Sequence, residues 1–235
     1  MTIMMNRRTL LQASGSLVVT FALAPSLGLA GPAPVAKTVA PDAVDGYLAI
    51  AADGKVTVYS GKVDLGTGVR TALTQIVADE LDVPLDHVTV IQGDTALTPD
   101  QGPSFGSLSI QNGGMQLRQA AATARRALLA EAATRLKADA AGLKLKDGVV
   151  TAPGGKSVAI GKLIGGKTLE LKLDKAAPQK APADYTLVGK PVRRLDIPDK
   201  VMARFTYMQN FKLPNMLHGR VIRPAGMGPL DPRVL

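Results

Sequence analysis

An α+β fold is predicted by three observations: a β-β-α-β-loop-α order of elements, two glycine-rich loops that each precede a helix, and a second hairpin signal further along. Tyr47-Leu48-Ala49-Ile50-Ala51 and Lys55-Val56-Thr57-Val58-Tyr59 flank Asp53-Gly54, a type I′ turn signal, and read as a β-hairpin. Residues 71 to 81 place Leu73, Ile76, Val77 and Leu81 at helical spacing, and Pro84 stops the helix. Val88-Thr89-Val90-Ile91 reads as the next strand. Residues 115 to 137 read as a long helix with Leu117, Ala121, Ala124, Leu128 and Leu136 on its apolar face and its N-terminus at Asn112-Gly113-Gly114. Asp147-Gly148 signals another hairpin, residues 158 to 163 start a short strand or helix, and residues 172 to 184 read as a connector.

The segment Gly61-Lys62-Val63-Asp64-Leu65-Gly66-Thr67-Gly68-Val69-Arg70-Thr71 ends a strand and opens a helix. Glycine accepts φ > 0, so backbone N–H groups can align toward an anion, and the helix start adds partial positive charge. A ligand-free tight turn explains Gly-x-Gly equally well. A second loop, running from Thr98 through Gly106-Ser107-Leu108-Ser109 to Gly113-Gly114, is rich in glycine and hydroxyls and also precedes a helix. Two such loops can converge on one elongated ligand.

Asn6-Arg7-Arg8-Thr9-Leu10-Leu11, an apolar run to Leu23 and the small residues Gly28-Leu29-Ala30-Gly31 form a twin-arginine export signal, with cleavage expected after Ala30. The apolar run is shorter than the roughly 20 residues a membrane span needs. Periplasmic localisation is the expectation, with membrane association as an alternative. Twin-arginine export carries folded proteins, which points to a cofactor inserted before export. The chain of 235 residues contains no cysteine, so it forms no disulfide and cannot ligate an iron–sulfur cluster through thiolates. Of the net charge of +9, Arg7 and Arg8 account for two, and much of the remaining +7 is lysine scattered between Lys137 and Lys200. With few aromatics and an export signal, this reads as a solvated face or a docking surface for an acidic partner, and nucleic acid is not expected.

The two loops, with Ala78-Asp79-Glu80-Leu81-Asp82-Val83 and Leu213-Pro214-Asn215-Met216-Leu217-His218-Gly219-Arg220-Val221-Ile222-Arg223-Pro224, resemble the molybdopterin-binding subunits of the xanthine dehydrogenase and aldehyde oxidase family. The resemblance is to the branch of isoquinoline 1-oxidoreductase beta subunits and nicotinate dehydrogenases, and it covers residues 47 to 224. It implies an incomplete molybdopterin-binding domain at residues 46–175, a connector at 176–184 and the first strands of a hammerhead-like domain at 185–235, after a signal peptide at 1–30 and a linker at 31–45. Ala203-Arg204-Phe205-Thr206-Tyr207 would be the first hammerhead strand and the Leu213 motif the second.

The resemblance implies cofactor contact by Gly66, Thr67, Gly68 and Val69 in loop one and by Gly106, Ser107 and Ser109 in loop two. The cofactor would be molybdopterin carrying molybdenum, in its cytosine dinucleotide form, shared with a further chain segment. Relatives often have glutamine at Thr67, whose shorter side chain cannot make those amide contacts, and an acidic residue where Gln209 and Asn210 stand. The family's general base, a C-terminal glutamate that serves hydroxylation with oxygen from water, has no counterpart here, so no catalytic residue is assigned. Glu80 and Glu131 read as surface or capping residues, and His87 and His218 show no metal-site logic.

The expected function is therefore part of a molybdenum-dependent hydroxylase or dehydrogenase of aldehydes or N-heterocycles, inactive alone. Its implied partners are the remaining molybdopterin-subunit polypeptide, a small 2Fe–2S subunit and a cytochrome acceptor. A non-catalytic remnant, or an exported binding module for a nucleotide-like anion, are the alternatives.

Overall fold

The computed structural model describes residues 44–164 and 171–221, so the export signal, the linker up to residue 43 and Ile222-Arg223-Pro224 lie outside the described residues. Two compact units divide the chain, the first ending at Leu195 and the second beginning at Asp196.

In the first unit, strands β1 (Leu48–Ile50) and β2 (Val56–Ser60) pair antiparallel, and β3 (Val88–Gln92) lies parallel to β2 with Ser60 opposite Gln92. The hairpin forms where expected, but its turn is not type I′. Gly54 N–H donates to Ala51 O at 2.9 Å, and of the pair Asp53-Gly54 only Gly54 has a positive φ, 84°. A type I′ turn needs both central residues left-handed. Asp147 (φ 50°) and Gly148 (φ 73°) do satisfy that requirement, joining β4 (Lys144–Lys146) to β5 (Val149–Thr151). Strand β6 (Ser157–Ala159) completes this second sheet and runs directly into helix α3 (Ile160–Ile164), so the segment expected to be a short strand or helix is both.

Helix α1 (Val69–Glu80) crosses from β2 to β3 and sinks Val69, Leu73 and Val77, spaced four apart, into the core with Tyr47, Leu48, Val58 and Val90. Asp82 takes a left-handed conformation just past its end, which returns Val83 N–H to Ala78 O at 3.0 Å. Helix α2 (Met115–Leu136) buries Leu117, Ala120, Ala121, Ala124 and Leu128, and its alanines let it lie close to α1. Its start is not at Asn112-Gly113-Gly114, because a wide π-helical turn, Ser109–Gly114, extends it backwards. Among the described residues no helix is long and apolar enough to cross a membrane.

Residues 171 to 195 carry one short 3-10 turn, Pro182–Asp184, and are held by a buried polar network. Glu80 is only 2% exposed and pairs with Arg118 (3.2 Å) and Arg125 (3.1 Å), while Lys180 N–H donates to its carboxylate at 3.1 Å. The expectation that Glu80 is a surface residue is corrected by this burial; Glu131 is exposed. Neighbouring Asp79 accepts from Thr186, Leu187 and Val188 N–H and from the Thr186 hydroxyl.

In the second unit, helix α4 (Ile197–Val201) is followed by turns, with the Phe205 and Tyr207 rings edge-to-face at 4.8 Å. The strand expected at residues 203 to 207 is absent. Arg204 and Phe205 N–H both donate to Asp199 O, at 2.8 and 3.0 Å, which folds that backbone onto α4 and removes the donors a ladder would need. The Leu213 motif also forms no strand among its described residues.

Candidate cofactor-binding loops

Because β2 and β3 are parallel neighbours, their carboxyl ends open at one sheet edge, and loop one (61–68) and loop two (93–108) leave from that edge. They meet closely. A Cβ on Gly61 would sit 2.1 Å from Pro99 O, so only glycine permits the approach. Gln101 Oε1 accepts from the Ser60 hydroxyl at 2.8 Å and from Gly61 N–H at 3.0 Å, while its Nε2 donates to Gln116 Oε1 at 2.8 Å. Lys62, 1% exposed, crosses between the loops and donates to Gly102 O at 3.2 Å and Pro103 O at 2.9 Å. Val63 N–H reaches the Ser104 hydroxyl at 2.9 Å.

The residues named from sequence occupy this junction with differing exposure. Gly66 (φ 100°) and Thr67 are exposed, and Gly68 (φ 81°) caps α1. The Val69 side chain belongs to the core, leaving its backbone at the loop. Gly106 (φ 61°) and Ser107 (φ 59°) form a tight left-handed turn closed by Leu108 N–H to Phe105 O at 3.2 Å, and Ser109 begins the π-helical turn. A non-glycine residue in the left-handed region stores strain of order 1 kcal/mol, a feature that concentrates at ligand-binding positions, as π-helical turns do.

The first loop's amides are less open than glycine content suggests. Asp64 Oδ1 accepts from Gly66 N–H at 2.9 Å and Gly68 N–H at 3.1 Å, and Oδ2 accepts from Arg70 N–H at 3.2 Å. Arg194 Nη1 donates to Gly66 O at 3.0 Å, and Leu195 N–H donates to the Thr71 hydroxyl at 3.0 Å. Among the described residues, the Gly106, Ser107, Thr67 and Val69 N–H groups and the Thr67 and Ser107 hydroxyls have no hydrogen-bond partner, and Gly106, Ser107 and Thr67 are exposed. Loop two therefore fits a phosphate or a polar ring through uncharged donors, and loop one fits it by shape and by Thr67.

Sequence reasoning missed Lys62, Asp64, Gln101 and Arg194. An aspartate two residues before the first glycine of Gly-x-Gly is an Asx-turn signal and could have exposed Asp64. No local signal marks Arg194, which comes from far along the chain.

Burial raises the Asp64 pKa, but N–H donation from Arg70, Gly68 and Gly66 and the Arg194 charge outweigh it, leaving the carboxyl below its ordinary value. Burial likewise raises Asp79, and Val188, Thr186 and Leu187 N–H with the Lys180 ammonium reverse the balance. A depressed folded-state pKa stabilises the fold above the unfolded value of about 3.9 and loses that contribution as pH falls through the folded value. Urea midpoints are thus expected to be level above about pH 5 and to fall below about pH 4, with a shallower fall for Asp79→Asn.

Residues 10–205 match the model of the molybdopterin cofactor-binding domain family, and the chain belongs to that family. It is 43% identical over 227 residues to a nicotinate dehydrogenase subunit of Pseudomonas putida, covering 95% of this chain and 19% of that protein. It is 28% identical to the isoquinoline 1-oxidoreductase beta subunit of Brevundimonas diminuta, covering 97% of this chain and 35% of that protein. The chain thus spans between a fifth and about a third of these relatives. Quinoline 2-oxidoreductase from Pseudomonas putida 86 matches half of the chain with 29% identity and a TM-score of 0.44.

Proposed function

We propose that the chain supplies the cofactor-binding loops of a molybdenum-dependent oxidoreductase that acts on an N-heterocycle or an aldehyde, and that it works only within a larger assembly. The carrying observation is the junction itself: two loops at the carboxyl ends of parallel strands, locked by Lys62 and Gln101, that present Thr67, Gly106, Ser107 and Ser109 without a side-chain charge. Loop-one glycines set the approach, and loop two donates hydrogen bonds. When bound, the cofactor supplies the redox chemistry; this chain's residues bind and orient it. The relatives' names, a nicotinate dehydrogenase and an isoquinoline 1-oxidoreductase, support an N-heterocyclic substrate.

The finer reading is a cytosine dinucleotide form of the cofactor, a 2Fe–2S subunit to remove electrons, a cytochrome acceptor, and export to the periplasm through Arg7 and Arg8. The assembly isolated from the native host through a tag on this chain is expected to release cytidine monophosphate on acid hydrolysis, in proportion to its molybdenum. Release of another nucleotide would refute the cytosine form. An assembly without pterin but with saturable nucleotide binding by the chain would favour an exported binding module instead.

A further inference from the structure

We propose that Asp64 is a positioning residue that fills the anion cradle of loop one from within. This deepens the proposed function and rests on it only for the identity of the ligand. The glycine pattern and the α1 start would form an anion site if their amides were open. Three of them are not open: the Asp64 carboxylate takes Gly66, Gly68 and Arg70 N–H, two on one oxygen and one on the other, and leaves Thr67 and Val69 N–H. Arg194 supplies the countercharge and lies against the loop. Its guanidinium binds Gly66 O, and its Nε stands 3.0 Å from where a Cβ on Gly68 would be. Arg70, the other cation at this corner, is engaged elsewhere, with Nε on Gln92 Oε1 at 3.1 Å.

An incoming phosphate at these amides would have to expel a carboxylate already charge-balanced and held by three donors. Loop one instead receives a defined shape, with Gly66 and Thr67 at its exposed tip. The Gly106-Ser107 turn has no such internal anion, and its N–H groups remain available.

The test is amide exchange of the full chain, read at single residues by NMR with and without inorganic phosphate. In the wild type, phosphate leaves Gly66, Gly68 and Arg70 unchanged. In Asp64→Ala these amides exchange about tenfold or more faster, since charge-assisted bonds are the strong ones, and phosphate restores their protection by entering the vacated cradle. A purely structural role would not give that rescue. Should the alanine variant lose core protection in β2 and β3, Asp64→Asn is read instead, with faster loop exchange expected over an unchanged core. The proposal is overturned by phosphate protecting the wild-type amides, by an unperturbed loop in Asp64→Asn, or by an alanine variant with an intact core that phosphate does not rescue. None of these readouts depends on a pterin, so failure of the proposed function would leave them standing.

Discussion

Replacing Glu80 with alanine is expected to destabilise the first unit by about 3 to 5 kcal/mol, the range for removing one partner of a buried ion pair. The carboxylate is 2% exposed and serves two guanidiniums and a backbone N–H, so its loss removes the ion-pair partner of Arg118 and Arg125 and the acceptor of Lys180 N–H together. Arg118 also donates to Lys180 O at 2.5 Å, so the change loosens the connector on which Thr186, Leu187 and Val188 are presented to Asp79. Urea denaturation of Glu80→Ala beside Glu131→Ala measures this directly. The exposed Glu131 site should change stability by less than about 0.5 kcal/mol.

Gly61→Ala is expected to cost about 3 kcal/mol and to part the two loops. The new methyl would lie 2.1 Å from Pro99 O and 3.1 Å from Gln101 N, both backbone atoms that no rotamer change can move. Overpacking of this kind alone costs about 1 to 3 kcal/mol. Parting the loops also breaks the bonds of Lys62 to Gly102 O and Pro103 O, leaving a buried ammonium with fewer acceptors, which adds to the cost. Thermal unfolding gives the stability change. Limited proteolysis between Asp94 and Gly106 reports the separation, with faster cleavage expected in the variant.

Much of the first unit is legible in its sequence because local signals and tertiary packing agree there. Leu73 and Val77 announce α1, the alanines of α2 announce close packing, and Asp147-Gly148 dictates its turn. Where signals failed, longer-range physics prevailed. The π-helical turn at Ser109–Gly114 has no composition of its own, and Asn112-Gly113-Gly114 reads locally as the start of the long helix. Glu80 reads as solvent-facing until Arg118, Arg125 and Lys180, distant in sequence, are brought around it. Lys62 reads as a charge at a strand end, yet its ammonium is directed into the carbonyls of the opposite loop. Among the loop-one glycines, Gly61 makes the close backbone approach, to Pro99 O, whereas nothing lies within 4 Å of a Cβ on Gly66 and Gly68 meets the Arg194 side chain.

Pterin content tests the central claim most directly. The assembly holding this chain would be isolated from the native host, oxidised to convert any pterin to its fluorescent form, and compared with the same assembly carrying Gly61→Ala. Stoichiometric pterin in the wild type and a large loss in the variant, at a temperature where both remain folded, is the predicted result. A wild-type assembly without pterin, or a folded variant that retains all of it, would contradict the assignment of these loops to the cofactor.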